Sequence, residues 1–377
     1  MSKTLQDYAT LINDTIQSNE INHYITTANM CQNLGGIDTF KNINIPQGKV
    51  RSFQKDDVLL SNIDPWHRQV YMAKRKGGCS SDVLVFRAKH IDSATLFAIL
   101  SSQSFINYVC LGSVGSKRKR GDKTHMMDFK IPTINFTIAK IFNSIQNKIE
   151  NNHKINELLH KILELLYEQY FVRFDFLDEN NKPYQTSGGK MKFSKELNRL
   201  IPSGWSVRFL NHKIVSTYQP ETISKTLLND SYSYSVYGGG GIIGRFTEYN
   251  HEQSEFIISC RGQCGISYLT LPKSWITGNA MVIRPTKSYT SKTYLYHTIK
   301  KYKLTNYITG SVQPQITRQN LSTMPILIPK RKILNKWNNI SSLLWNLIHN
   351  NMQATQTLTA LRDFLLPLLL KQQVKPQ

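Results

Sequence analysis

Two long amphipathic stretches dominate the pattern of apolar and polar positions along this chain. In residues 136–170, Ile138, Ile145, Leu159 and Leu166 recur at multiples of seven residues. A second apolar line recurs beside the first, at Ile141, Ile155 and Ile162. This period predicts a helix that packs lengthwise against another helix. Neither Pro nor Gly interrupts the stretch. We therefore expect a continuous rod of roughly 50 Å, at ~1.5 Å per residue.

The same pattern returns in residues 333–369. Its first line is Trp337, Leu344, Leu358 and Leu365, and its second is Ile340, Leu347, Leu361 and Leu368. Each helix carries an asparagine in the middle of its first line, Asn152 and Asn351. A polar residue at one such position costs stability but fixes register and partner. Two ordinary core helices are the alternative. The shared feature favours the two helices pairing with each other as an antiparallel coiled coil.

Short motifs recur upstream of each helix and define a repeat. Asn-Tyr, Gly-Ser-Val and Ile-Pro follow one another in residues 107–132 and again, at almost equal spacing, in residues 306–329. The Gly-Ser-Val motif aligns Gly112 with Gly310. Further upstream, DVLVFRAK at 82–89 matches NAMVIRPT at 279–286, and both are predicted to contain a strand. A period of roughly 200 residues is typical of duplicated domains. The chain is predicted to alternate two globular modules with two long helices.

The charge of the chain indicates a polyanionic partner. Among 377 residues, 47 are Lys or Arg and 25 are Asp or Glu, giving a formal net charge of +22 and a pI near 9.7. Such an excess favours nucleic acid, with a membrane surface as the main alternative. Residues 1–15 lack the apolar core of a signal peptide, and no run of ~18 apolar residues predicts a membrane span. An odd number of cysteines, five, favours a reducing cytoplasm.

Motifs typical of enzymes are incomplete in this chain. Gly239, Gly241 and Gly244 satisfy G-x-G-x-x-G, but a strand is predicted to continue there and no helix opens, so a dinucleotide site is not predicted. The segment DPW at 64–66 lacks one Pro of the D-P-P-W loop of amino-methyltransferases, and no F-x-G-x-G loop precedes it. The pair CRGQC at 260–264 has no second pair at zinc spacing. We therefore predict no catalytic or metal-binding residue.

One loop of the first module concentrates positive charge. Lys117, Arg118, Lys119 and Arg120 are consecutive. A solvated loop tip is the alternative interpretation. The corresponding segment of the second module, residues 313–320, is polar instead of basic, and this contrast favours a loop that contacts phosphates. Lys and Arg at such a tip contribute affinity and salt dependence, not sequence choice.

Several phrases along the chain are similar to those of one family. They are VLLSNIDPWHRQV at 58–70, CSSDVLVFRAK at 79–89, IPSGW at 201–205 after KELNRL, YGGGGIIG at 237–244, ISCRGQCG at 258–265 and LRDFLLPLLLKQ at 361–372. Together with the alternation of modules and long helices, they resemble the specificity (S) subunit of type I restriction-modification systems. The resemblance spans nearly the whole chain.

The resemblance implies an α+β architecture with two mixed target-recognition domains in tandem, each followed by a long helix. The implied domains are 1–132 and 206–329, the implied helices 133–172 and 330–372, and the connector 173–205. Each domain would read one half of a split, asymmetric DNA site, and the paired helices would set the gap between the halves. Two methyltransferase subunits would dock on the helices, and restriction subunits would join through them. S-adenosylmethionine, ATP and Mg would belong to those partners, leaving this chain without a cofactor.

Base reading requires Arg, Lys, Gln or Asn side chains at base edges. The candidates for DNA contact are Arg68, Lys117, Arg118, Lys119 and Arg120 in the first module, and Tyr237, Arg261, Gln313, Gln315 and Arg318 in the second. Each could instead be a solvated loop residue. Two further classes of function stay open from the residues alone: a basic coiled-coil scaffold that binds DNA without sequence preference, and a fused DNA-modifying enzyme.

Overall fold

The computed structural model describes residues 3–39, 41–131, 134–229, 232–262, 264–310 and 313–370. Residue contacts divide the chain into Met1–Ile155 with Asn350–Gln377, here called unit 1, and Asn156–His349, called unit 2. The division falls inside both predicted long helices, so each unit contains one half of each helix. Some residues of the repeat motifs lie outside the described residues, namely Pro132, Ser311 and Val312.

Short runs of β-branched and aromatic residues form the strands of unit 1. The strands are Lys3–Thr4, Ala9–Ile12, Thr15–Gln17, Tyr24–Ile25, Lys49–Phe53, Val58–Ser61, Val70–Met72, Gly77–Cys79, Val83–Ala88 and Lys130–Ile131. One antiparallel sheet has the order Ala9–Ile12, Val83–Ala88, Val58–Ser61, Val70–Met72. A second sheet, which is mixed, has the order Thr15–Gln17, Lys49–Phe53, Gly77–Cys79, Tyr24–Ile25, and its last pair of strands is parallel. The shorter helices are Leu5–Tyr8, Ser93–Ser101, Gln103–Leu111 and Lys123–Met127, with 3-10 turns at Ser18–Glu20 and Pro65–His67.

Unit 2 repeats much of this arrangement. Its strands are Met191–Ser194, Arg199–Pro202, Ser206–Phe209, Val215–Tyr218, Tyr234–Gly238, Gly241–Phe246, Phe256–Ser259, Ser267–Leu269, Trp275–Ile276, Ala280–Pro285, Ile308–Thr309, Gln315–Ile316 and Pro325–Ile328. The largest sheet has the order Val215–Tyr218, Ala280–Pro285, Phe256–Ser259, Ser267–Leu269. The shorter helices are Lys292–Lys300 and Arg318–Leu321, with 3-10 turns at Lys225–Leu227 and Leu304–Tyr307. The strands predicted in the two matching segments are confirmed as Val83–Ala88 and Ala280–Pro285.

An equivalent ion pair lies beside the large sheet of each unit. In unit 1, Arg87 donates from Nε and Nη2 to the two carboxylate oxygens of Asp57, both at 2.8 Å. In unit 2, Arg284 donates from the same two nitrogens to Oε1 of Glu255, at 3.0 and 2.7 Å. The arginines occupy matched positions of the DVLVFRAK and NAMVIRPT segments. The repeat therefore extends to side-chain interactions that stabilise each sheet.

The long helices are Phe136–Tyr167, followed by a π-helical turn at Glu168–Val172, and Arg331–Leu369. We call them the central and the C-terminal helix. Asn135 Oδ1 accepts a hydrogen bond from the backbone of Ile138 at 3.1 Å and caps the central helix. At ~1.5 Å per residue, the helices are about 48 and 58 Å long.

The buried faces of these helices differ from the predicted faces in one respect. The predicted first line is buried or half-buried: Ile138, Ile145, Asn152, Leu159, Leu166, Trp337, Leu344, Asn351, Leu358 and Leu365. The second line was assigned wrongly, because most of its members are exposed: Ile141, Ile155, Ile162, Ile340, Leu347 and Leu361. The positions buried in their place include polar residues, Gln146, Ser341 and Arg362 among them. An apolar pattern cannot identify such positions.

Hydrogen bonds satisfy several of these polar residues within unit 1. Gln146 Nε2 donates to the Leu34 carbonyl at 2.7 Å, and its Oε1 accepts from Arg362 Nη1 at 3.1 Å. Asn152 Nδ2 donates to Thr355 Oγ1 at 3.2 Å. In unit 1, the N-terminal part of the central helix thus contacts the C-terminal half of the C-terminal helix.

Unit 2 contains the other halves of the two helices. Asn156 Nδ2 donates to the Ile348 carbonyl at 3.2 Å, and the rings of His160 and Trp345 lie 5.0 Å apart. Burial lowers the pKa of His297 to about 3 and that of His349 to about 4, with nearby positive charges acting in the same direction. Both imidazoles are therefore neutral at pH 7.

Within the described residues, no single helix combines the length and apolar composition needed to cross a membrane. The helices Ser93–Ser101 and Gln103–Leu111 meet that criterion only when taken together, and they are bent by 59° at the break between them.

Candidate nucleic-acid interface

The predicted basic loop closes a β-hairpin on the surface of unit 1. Val114 and Arg120 exchange two backbone hydrogen bonds of 2.9 Å, and every residue from Lys117 to Arg120 is exposed. Arg120 Nη2 donates to Asp82 Oδ1 at 3.0 Å, so this guanidinium is held in place while much of it stays in solvent. The hairpin presents Lys117, Arg118 and Lys119 as additional cationic groups.

Asp64 holds this turn from the neighbouring loop. Its backbone N–H donates to the Lys119 carbonyl at 2.8 Å, and its Oδ1 accepts from the Lys119 N–H at 3.1 Å. The DPW segment therefore has a structural role, which its incomplete match to a methyltransferase loop did not indicate. An Asp followed by Pro often begins a turn, and this was the only signal in the sequence for such a role.

Arg68 is not on the exposed surface. Its side chain is 14% exposed, Nη2 donates to the Ser101 carbonyl at 3.2 Å, and Nη2 lies 3.8 Å from Asp363 Oδ1 of the C-terminal helix. Burial lowers the pKa of this guanidinium, and Asp363 opposes that shift. Arg68 thus joins its loop to the helix within unit 1, which removes it from the exposed candidates for DNA contact.

Unit 2 brings four predicted residues onto neighbouring segments. Arg261 pairs with Gln315 in a β-bridge, and Gln313 lies two residues earlier on the same exposed turn. Arg318 is exposed at the first position of the helix Arg318–Leu321. The adjacent Cys260 carbonyl accepts from the Ile316 N–H at 3.0 Å, which fixes the two segments together.

Tyr237 is the candidate that the structure places furthest from solvent. Its side chain is 3% exposed, and its hydroxyl accepts a hydrogen bond from the Leu271 N–H at 3.0 Å. Burial raises its pKa to about 12. Tyr237 is therefore a core residue in this structure, and a base contact by its side chain would require the core to open. Gly241 and Gly244 lie in the strand Gly241–Phe246, so a strand and not a helix occupies the position that a dinucleotide site needs, as predicted.

The turns of the two units are equivalent, but their alignment differs from the one predicted. Val114 pairs with Arg120 in unit 1, and Thr309 pairs with Gln315 in unit 2. Arg120 also pairs with Ile63 as Gln315 pairs with Arg261. Ile63 and Arg261 each lie two residues beyond equivalent strands, Val58–Ser61 and Phe256–Ser259. Residues 114–120 thus correspond to 309–315. The Gly-Ser-Val alignment was wrong by three residues, because Gly115 and not Gly112 corresponds to Gly310.

The exposed groups of these turns are donors and acceptors, not a catalytic cluster. Among the described residues, no group of three or more His, Cys, Asp or Glu side chains is arranged to hold a metal ion. Cys260 is buried, and its Sγ accepts from Gln219 Nε2 at 2.8 Å. Guanidinium, ammonium and amide groups on rigid turns can contact phosphates and base edges.

Both long helices also expose apolar residues away from the buried faces. In unit 1 these are Phe136, Ile141, Ile155, Leu361 and Phe364, and in unit 2 they are Leu158, Ile162, Leu165, Ile340, Leu343 and Leu347. We call the two sets the unit 1 strip and the unit 2 strip. Large apolar side chains left exposed on a helix are candidates for contact with another protein.

Residues 202–358 match the family model described as the type I restriction modification DNA specificity domain. This region is therefore similar to the DNA specificity domains of type I restriction-modification systems. The resemblance that the sequence motifs indicated is thereby confirmed. The matched region contains the exposed turn of unit 2 described above and much of the C-terminal helix.

One curated protein and one solved structure extend this similarity. The chain is 22% identical to the type I restriction enzyme MjaIX specificity subunit of Methanocaldococcus jannaschii over 266 residues. This match covers 62% of the chain and 56% of that protein, so it spans little more than half of the relative's length. The crystal structure of a type I restriction-modification S subunit from M. genitalium superimposes with a TM-score of 0.64 at 14% identity, covering 99% of this chain and 96% of that one. The second comparison shows a shared fold.

Proposed function

We propose that this chain is the DNA sequence-specificity subunit of a type I restriction-modification complex. In this proposal residues 1–132 and 206–329 are two target-recognition domains, and each reads one half of a bipartite, asymmetric DNA site. The observation that carries the proposal is the repeated frame: the same sheet, the same ion pair and the same exposed turn occur in both units. The turns carry different side chains, and this difference makes the two half-sites unlike.

The helices are the spacer between the two half-sites in this proposal. We infer that they pair along their length as an antiparallel coiled coil, comprising 133–172 and 330–372, with 173–205 as connector. Support comes from the contacts Asn152–Thr355 in unit 1 and Asn156–Ile348 in unit 2. The residue number increases along the central helix while that of its partner on the C-terminal helix decreases, as antiparallel pairing requires. Rods of about 48 and 58 Å exceed one turn of B-DNA, ~34 Å. They are long enough to separate two recognition domains by a fixed number of base pairs.

The partners in this proposal are double-stranded DNA and two methyltransferase subunits, with restriction subunits joining through the latter. One apolar strip in each unit supports the number two. The formal charge of +22 supports a polyanionic ligand. In this proposal the chain itself is non-catalytic, and the partner subunits bind S-adenosylmethionine, ATP and Mg. The complex would work in the cytoplasm, where cellular DNA is accessible to it.

The test is selection of DNA from a random library by the chain assembled with its modification subunits. The proposal predicts enrichment of one motif, split into two unlike halves by a constant gap, and binding that weakens steeply with salt. Equal competition by all sequences would instead support a basic scaffold without sequence preference. Methylation or cleavage of DNA by the isolated chain would support a fused enzyme.

A further inference from the structure

The same backbone device occurs at the first residue of each equivalent turn, Gly115 in unit 1 and Gly310 in unit 2. Gly115 has φ 125° and Gly310 has φ 89°. A Cβ at Gly115 would clash with the Arg118 carbonyl, and a Cβ at Gly310 would clash with the Gln313 carbonyl. Each glycine therefore allows its turn to close on the residue three positions later. These two carbonyls identify Arg118 and Gln313 as matched residues.

The segments after the turns are also fixed by equivalent caps. Asp122 accepts from the His125 N–H at 2.7 Å at the start of Lys123–Met127. Thr317 accepts from the Asn320 N–H at 3.2 Å at the start of Arg318–Leu321. Each cap lies two residues beyond a bridged residue, Arg120 or Gln315. The turns are thus pinned on both sides, and side chains on a pinned turn lose little freedom when they meet a ligand.

The bridged pairs of the two units carry one arginine each, on opposite segments. In unit 1 the pair is Ile63 and Arg120, so the guanidinium lies on the turn. In unit 2 the pair is Arg261 and Gln315, so the guanidinium lies on the facing loop. A cationic group is therefore present at the base of both turns, where it can contact a phosphate. On the turns themselves, Lys117 and Lys119 correspond to Val312 and Pro314, whose side chains cannot hydrogen-bond to a base. Arg118 and Gln313 are the matched pair in which both side chains can do so and in which the two differ in character.

These two side chains have different complements among the bases. The Arg guanidinium only donates, and it matches the O6 and N7 acceptors of guanine. The Gln amide both donates and accepts, and it matches the N6 donor and N7 acceptor of adenine. Both residues are exposed. A major-groove edge could therefore approach either residue without rearrangement of the core.

We propose that Arg118 and Gln313 are equivalent specificity-determining residues, selecting guanine in the half-site read by unit 1 and adenine in the half-site read by unit 2. This inference rests on the proposed function and deepens it. In this proposal one position on each turn contacts a base, whereas the neighbouring Lys117 and Lys119 and the bridged arginines contact phosphates of the DNA backbone.

The experiment uses the full chain assembled with its modification subunits and a DNA library randomised in both half-sites. Arg118→Gln should change one position of one half-site from guanine to adenine, with a loss of roughly 10- to 100-fold on the original sequence. Gln313→Arg should make the reverse change in the other half-site. Half-sites that stay as in the wild type for both variants would overturn the proposal.

Lys117→Gln is the matched control, because it removes the same charge from the same turn. It should weaken binding to all sequences alike and reduce the slope of log K against log salt by about 0.9. If Arg118→Gln shows only this uniform loss, Arg118 contacts a phosphate and the proposal is wrong. Failure of the proposed function has a different signature, since the wild-type complex would then enrich no split motif at all.

Discussion

We predict that polar substitutions in the unit 1 and unit 2 strips weaken the binding of methyltransferase subunits, by an amount that follows from the exposed fraction of each side chain. Leu343 of the unit 2 strip is 62% exposed and Phe364 of the unit 1 strip is 69% exposed. Complete burial of such a side chain contributes about 1.5–3 kcal/mol. A partner that covers the exposed part should therefore gain about 1–2 kcal/mol from each residue, so a polar substitution should weaken that site by roughly 5- to 30-fold.

The variants are Leu343→Ser and Phe364→Ser, singly and together. Near the dissociation constant, sedimentation or native mass spectrometry should find mostly one methyltransferase subunit on each single variant and almost none on the double variant. Because both side chains are exposed, thermal unfolding of the isolated chain should change little. Leu227→Ser is the control, since Leu227 is 54% exposed but lies outside the long helices. Two subunits bound with unchanged affinity by the double variant would refute the assignment of the strips.

Two further predictions concern stability. In the folded state the pKa values of His297 and His349 are about 3 and about 4, whereas in the unfolded chain both take up protons below pH ~6.5. The stability of the fold is therefore full above pH ~6.5 and is lost as the pH falls toward 4. Each of the two histidines should lower the free energy of unfolding by roughly 2 kcal/mol at pH 5 relative to pH 7. Urea unfolding followed by tryptophan fluorescence measures this change. A free energy of unfolding that stays constant between pH 7 and 5, or one that falls equally steeply in His349→Gln, would contradict the prediction. Arg87→Ala should destabilise unit 1 by roughly 3 kcal/mol, because Asp57 is 2% exposed and would be left buried without its cation. The control is the surface substitution Lys89→Ala. If both variants lose the same free energy of unfolding, the ion pair contributes little to stability.

The long helices could be predicted from sequence because a seven-residue apolar period survives even where tertiary contacts are unknown. The second line failed because hydrogen bonds let Gln146 and Arg362 occupy buried positions, while Ile141 and Leu347 face outward. The face of Tyr237 could not be predicted either. Its strand alternates Ser and Tyr before it, and a period of two does not say which side is buried.

Partners distant in sequence account for the remaining differences at the candidate site. From sequence, Arg68 is predicted to be an exposed loop cation. In the structure Asp363, which is near the other end of the chain, lies beside it. The two equivalent turns were aligned by a shared tripeptide, but the backbone pairs Val114–Arg120 and Thr309–Gln315 fix the true correspondence. A single sequence carries no signal for such pairing when the turns differ in composition.

The most direct test of the central claim is to insert one heptad into each long helix, in register, and to map the DNA motif that the assembled complex selects. An added length of about 10.5 Å per helix should lengthen the gap between the half-sites by at most roughly three base pairs and leave both half-sites unchanged. A gap that stays constant, or half-sites that change while the gap does not, would contradict the claim that the helices set the spacing between two reading domains.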